Sequence, residues 1–109
     1  MPKKIPEKGK VKKGAEDIGR EKYVLQLFVT GILPNSIRAI KNINAICEEH
    51  LKGRYDLEII DIYQQPSLAL KADIIAIPVL IKRFPLPEAR LIGDLSNIEK
   101  VLKGLQLID

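Results

Sequence analysis

Few side chains in this 109-residue sequence could make or break bonds. It holds one cysteine, Cys47, and one histidine, His50. A metal centre built from several His and Cys ligands is excluded by that count, and so is an intramolecular disulfide. A lone thiol fits a reducing compartment, so the expected location is cytoplasmic. Cys47 falls in an apolar stripe at helical spacing and reads as a buried structural thiol. His50 stands near the end of the same helix, where the dipole favours a surface imidazole. Asp61 follows an apolar strand, but no partner forms a recognisable acid–base pair with it. Gly31 and Gly53 belong to no phosphate loop, since neither G-x-x-x-x-G-K nor G-x-G-x-x-G occurs. By elimination the residues favour a binding or assembly role, with no enzyme activity, cofactor or metal.

The elements that must carry these residues follow from pattern. Residues 23–30 (YVLQLFVT) are dense in β-formers and nearly continuous in apolar residues, as in a strand covered on both faces. A turn over Gly31–Asn35 leads to a helix capped by Asn35 or Ser36. Its apolar stripe runs Ile37, Ile40, Ile43 and Cys47, with Ile46 beside it and Leu51 closing it. Gly53 supplies the stop. Residues 55–63 (YDLEIIDIY) read as a second strand, parallel to the first through a βαβ crossover. A short helix over Ser67–Asp73 begins with a Ser cap. Residues 74–83 (IIAIPVLIKR) read as a third strand with Pro78 inside it, and 89–92 as a fourth. Ser96-Asn97-Ile98-Glu99 is a capping box opening a last helix toward Leu105.

The expected fold class is therefore α/β in the order βαβαββα, that of a thioredoxin-like fold. Pro78 falls where such folds carry a cis-proline. Thioredoxin-like enzymes place Cys-x-x-Cys at the start of the first helix, where the dipole lowers a thiol pKa. Here that segment reads Gly31-Ile32-Leu33-Pro34-Asn35-Ser36, without sulfur. Dithiol exchange by this chain alone is thereby excluded. A glutathione-type enzyme using Ser36 is conceivable, with no other support.

Charge divides the chain in two. Seven basic and three acidic side chains among residues 1–20 account for the whole net charge of +4, and the remaining charges cancel. Residues 1–20, with two prolines, three glycines and scattered apolar residues, read as a flexible basic N-terminal extension. No aromatic residue is interleaved with its lysines, so it offers nucleic acid no stacking platform. Residues 21–109 form one domain. No apolar run approaches the ~18–20 residues that span a bilayer, so no membrane association is expected, and no apolar stretch of a secretory signal follows the basic start.

The domain resembles the circadian clock protein KaiB family from about Tyr23 to Leu107. The resemblance rests on YVLQLFVTG, LPNSIRAIKNI, YDLEIIDI, QQPSLA, AIPVL and above all LIGDLSNIEKVLKGL. It implies a non-enzymatic partner of KaiC, a hexameric RecA-like ATPase. It also implies two folds: a resting order βαββααβ, a homotetramer or dimer and the form expected in a crystal, and a rarer monomeric thioredoxin-like order that binds the ring. That order competes with a thioredoxin-like sensor histidine kinase. The resemblance assigns partner-facing basic roles to Arg38, to Lys82 after the third strand and to Arg90 in the following loop. Pro78 and Gly104 are the positions tied to the change of fold.

Local preference agrees with such ambiguity. Residues 67–77 (SLALKADIIAI) suit a helix through Ala and Leu and a strand through the Ile run. The last helix carries Gly104, followed by residues that could serve in a strand. Mixed preference of this kind leaves two packings close in free energy. Departures from the cyanobacterial pattern include Asp56 and Glu58, which reverse local charge, and an apolar Ile74 at a further basic position. They point to a member of the family outside the cyanobacterial clock, with a role in circadian-type timing or in stress and growth adaptation. The alternative is a thioredoxin-like stress-response protein with a different partner.

Overall fold

The computed structural model describes residues 21–109. The reading of residues 1–20 as a basic extension lies outside the described residues. Strand β1 (Tyr23–Val29) leads to helix α1 (Pro34–His50), strand β2 (Tyr55–Asp61), helix α2 (Pro66–Lys71), strands β3 (Val79–Phe84) and β4 (Ala89–Ile92), and helix α3 (Ile98–Gly104). This is the thioredoxin-like of the two orders anticipated from the sequence.

The sheet order is β2-β1-β3-β4. β2 runs parallel to β1, from Tyr23 opposite Tyr55 to Val29 opposite Asp61. β3 runs antiparallel to β1, and β4 antiparallel to β3. Because side chains alternate along a strand, β1 feeds two cores. Leu25, Leu27 and Val29 pack with Leu80 against Ala39, Ile43, Ile46 and Cys47 of α1 and Val101, Leu102 and Leu105 at α3. Phe28 packs with Ile60, Val79, Ile81 and Ala72, and with Leu68 and Ala69 of α2. With six residues, about 9 Å at helical rise, α2 is too short to cover that whole face. The remainder carries polar side chains: Arg83 donates to Gln26 (2.7 Å) and Gln26 donates to Glu58 (3.0 Å).

Several local expectations shift by a residue or more. Helix α1 starts at Pro34, and neither Asn35 nor Ser36 caps it. Leu33 occupies the cap position in extended conformation, with no side-chain cap. Proline suits a helix start because its φ is already helical and its missing N–H would have had no partner. The buried stripe is Ser36, Ala39, Ile43, Ile46 and Cys47. Ile37 stands about 100° from Ser36 around the axis and is 46% exposed, not in the core. Helix α2 likewise starts on Pro66 after Gln65, without a serine cap.

The third strand begins at Val79 rather than Ile74. Pro78 has no N–H for a ladder, and the Ile77–Pro78 peptide is cis. Its carbonyl accepts the Gly93 N–H at 2.9 Å, which joins the start of β3 to the end of β4. Helix α3 is capped by Asn97 rather than Ser96: the Asn97 side chain accepts the Lys100 N–H at 3.1 Å. Gly104 does not interrupt α3 but is its last residue. A Cβ there would overlap the Leu91 side chain, so glycine sets how closely α3 lies on β4. Just beyond it, the buried Tyr23 hydroxyl donates to the Leu105 carbonyl at 3.0 Å, tying the first strand to the end of the last helix.

The buried stripe has a direct test in urea unfolding. Ile43→Ala should cost about 2–5 kcal/mol through the cavity it leaves, whereas Ile37→Ala should change stability by less than about 1 kcal/mol. Tyr23→Phe should cost about 1–2 kcal/mol, because the Leu105 carbonyl loses its buried donor. Equal losses at positions 37 and 43 would contradict this packing.

Candidate partner-binding surface

The start of α1, where redox relatives of this fold carry their thiols, is built here for structure. Ser36 is buried, and its Oγ accepts the Thr30 N–H at 3.1 Å, so it faces no substrate. Asp61 holds the preceding turn: Oδ2 accepts the Gly31 N–H at 3.1 Å and Oδ1 the Tyr63 N–H at 2.8 Å. Gly31 needs its flexibility there, with φ at +43°. Cys47 is fully buried, and burial, with a smaller push from Glu48, raises its thiol pKa to about 12. His50 is the last residue of α1, half-buried, with Nε2 3.9 Å from a Glu49 carboxylate oxygen. Among the described residues no three His, Cys, Asp or Glu side chains are grouped to hold a metal ion.

The three basic residues singled out from the sequence lie in three different settings. Arg38 projects from the second turn of α1 with its side chain 56% exposed. Its Nε donates to Asp94 Oδ2 at 2.9 Å. Asp94 is itself held, since Oδ1 accepts the Ser96 N–H at 3.1 Å and its carbonyl accepts Asn42 Nδ2 at 2.8 Å. The Arg38 guanidinium, then Ser96, keep the Asp94 carboxyl below its ordinary pKa.

Lys82 lies within β3, not after it, and is 1% exposed. Its place in the ladder, between Leu25 and Ala89, turns it toward the face that α1 and α3 cover. There Nζ donates to Gln106 Oε1 at 3.1 Å. Burial pushes its ammonium below the ordinary lysine value, partly offset by Glu21. Arg90 lies in β4, not in a loop, opposite Ile81 on the other face. Its Nη groups donate to the carbonyls of Ala72 and Asp73, just past α2. A cation there complements the helix C-terminus.

The structure therefore does not bring Arg38, Lys82 and Arg90 into one patch. Around Arg38 it supplies something the sequence reading missed. Ile32, Leu33 and Ile37 are exposed, and Lys41 lies one turn beyond Ile37. Together they form an apolar surface edged by two cations. Counting the helical stripe from Ser36 instead of Ile37 would have revealed it. The acidic departures are largely balanced within the chain: Lys22 pairs with Asp56 at 3.1 Å, and Glu58 ends the chain of bonds from Gln26 and Arg83, which also reaches Glu88 at 2.7 Å. Ile74 packs against the second core. No helix among the described residues is long and apolar enough to cross a membrane.

Comparison with known proteins follows the same lines. The profile of the KaiB domain matches residues 26–107. The circadian clock oscillator protein KaiB of Thermostichus vulcanus is 52% identical over 89 residues, covering 82% of each chain. That of Prochlorococcus marinus (strain CCMP1986) is 47% identical over 91 residues, covering 84% of this chain and 85% of the other. Among solved structures, the N-terminal domain of Synechococcus elongatus SasA superposes with a TM-score of 0.64 at 24% identity, over 82% of this chain and 88% of that one. The Drosophila melanogaster thioredoxin Deadhead superposes with a TM-score of 0.66 at 9% identity, over 86% and 88%. At those identities the likeness is one of fold.

The setting of Cys47 predicts slow chemistry. In the native protein a thiol reagent should label it only as fast as the fold opens, and at once in denaturant. Its sign with pH is also set. An unfolded chain ionises this thiol near its ordinary value of 9.0, the folded chain only near 12. The unfolded state thus binds fewer protons between those values, and stability falls as pH rises through them. Unfolding of the wild type should lose stability more steeply above pH ~9 than that of Cys47→Ala. Rapid stoichiometric labelling of the native protein would contradict the burial.

Proposed function

This chain belongs to the KaiB family, and we propose that it is a non-enzymatic regulatory protein that docks, in its thioredoxin-like order, on a hexameric KaiC-like ATPase. The observation that carries the reading is the exposed Arg38 guanidinium at the edge of the apolar surface of Ile32, Leu33 and Ile37. A cation beside exposed apolar side chains suits a partner segment that offers a carboxylate next to an apolar group. Relatives named as circadian clock oscillator proteins support a role in circadian-type timing or in stress and growth adaptation. The fold shared with the SasA domain supports competition between this chain and a sensor histidine kinase for one site.

Within this reading Arg38 makes the direct contact. Lys82 contributes by holding Gln106 over the sheet, and Arg90 by holding the end of α2. At rest the chain associates with itself in the second order, as a homotetramer or dimer, and the dissociated thioredoxin-like form is the one that binds. Concentration then opposes partner binding by mass action.

Co-elution with a KaiC-like hexameric ATPase in the presence of ATP tests the reading. Arg38→Ala should weaken association by about tenfold or more, the effect of losing one charge-assisted bond, with unfolding in urea changed only slightly, as for an exposed ion pair. Lys82→Ala should lower stability in urea as well as binding. Wild-type binding by Arg38→Ala would count against the surface, and failure of the wild type to bind against the partner. Sedimentation should show a self-associated species at high protein concentration that dissociates on dilution. A monomer throughout would contradict the resting assembly.

A further inference from the structure

We infer that Asp94 is the positioning residue for Arg38: it pins the guanidinium by Nε so that the Nη edge is presented to a carboxylate on the partner. The inference rests on the reading that Arg38 meets that partner.

An unheld arginine on a helix surface sweeps through many rotamers, and its ordering opposes binding. Here the ordering is done in advance. Arg38 donates through Nε to Asp94 Oδ2, and among the described residues its Nη groups make no hydrogen bond. Guanidinium is a flat fork of five donors, so fixing Nε orients the two Nη groups at the opposite edge. That edge is free to take a carboxylate in a two-pronged, charge-assisted contact. Asp94 is the more enclosed of the pair, at 26% exposure against 56% for Arg38, so it stands behind the guanidinium.

The anchor is itself rigid. Oδ1 of Asp94 takes the Ser96 N–H, and its carbonyl takes the Asn42 side chain. Before it, Gly93 at φ +116° donates to the Pro78 carbonyl. After it, Leu95 is buried in the larger core. Arg38 and Asp94 lie 56 residues apart in sequence. Their pairing exists only while the segment after β4 lies against α1. The guanidinium is therefore aimed only when the second half of the chain has this order, and partner recognition reads the fold through one ion pair.

Coulomb's law and positioning predict opposite signs, which makes the inference testable. Removing a carboxylate beside a cation should by charge alone tighten binding to an acidic partner. If Asp94 positions Arg38, removing it should weaken binding. Dissociation rates from the KaiC-like hexamer with ATP would be measured for the wild type, Arg38→Ala, Asp94→Ala, Asp94→Asn, Asn42→Ala and the Arg38→Ala/Asp94→Ala pair. Asp94→Ala should weaken binding about five- to tenfold. Asp94→Asn has one acceptor oxygen for the Arg38 Nε–H and the Ser96 N–H together, and should recover only part of that loss. Asn42→Ala frees the Asp94 carbonyl but leaves its carboxylate on Arg38, and should weaken binding less than Asp94→Ala does. On the Arg38→Ala background, Asp94→Ala should cause no further loss.

Unchanged or tighter binding by Asp94→Ala overturns the inference, as does an equal loss with and without Arg38. Wild-type binding by Arg38→Ala overturns the surface reading first and this inference with it. A readout free of the partner completes the test. The Arg38 Nε–H resonance of the free protein should be protected from exchange in the wild type, less so in Asp94→Asn, and unprotected in Asp94→Ala. An unprotected resonance in the wild type overturns the inference whatever the binding results.

Discussion

The structure depends on a central strand that is paired on both edges and packed on both faces. β1 lies between a parallel neighbour, β2, and an antiparallel one, β3. Its backbone groups are satisfied within the sheet, and its side chains alternate between two cores. Leu25, Leu27 and Val29 serve the larger one and Phe28 the smaller. No other strand of this sheet, apart from β3, is enclosed in this way. The Tyr23 hydroxyl extends the constraint by reaching the end of α3. Polar groups deep in such a sheet carry a desolvation penalty unless paired. That is why Lys82, placed by register on the covered face, meets Gln106.

Besides the β1–β3 ladder, side-chain hydrogen bonds between residues far apart in sequence join the first and second halves of the described chain. Tyr23 meets Leu105, Arg38 and Asn42 meet Asp94, and Arg83 meets Gln26. The first half is locally self-consistent: a strand with two apolar faces, a helix with a proline start, and a parallel strand. The second half has three short elements of six, six and four residues and a seven-residue helix. Elements that short gain little from their own propensity and take their order from what they pack against. The order of this half is therefore set by tertiary contacts more than by local preference.

Structure claims the polar side chains around the start of α1. The turn that carries thiols in redox members of this fold is held here by Asp61 and Ser36, neither of which is free to react. Next to it, apolar residues that the core does not need remain at the surface beside a fixed guanidinium.

The sequence by itself determined the element order, the parallel crossover, the buried thiol and the family, because each rests on local periodicity, on turn residues or on long distinctive segments. It also marked Pro78 as a break in the third strand, since a proline without an N–H is a local fact. It misjudged the helix caps, where Leu33, Gln65 and Asn97 hold places that Ser and Asn residues one to three positions away could equally claim. It placed Ile37 in the core, because a stripe of isoleucines looks continuous until neighbouring strands fix the rotation of the helix. Only the tertiary structure decided what the basic residues do. Arg38, Lys82 and Arg90 look alike in the chain, yet one faces solvent, one lies under the chain end and one closes a helix. Those differences come from register and packing between segments remote in sequence, and no local pattern encodes them.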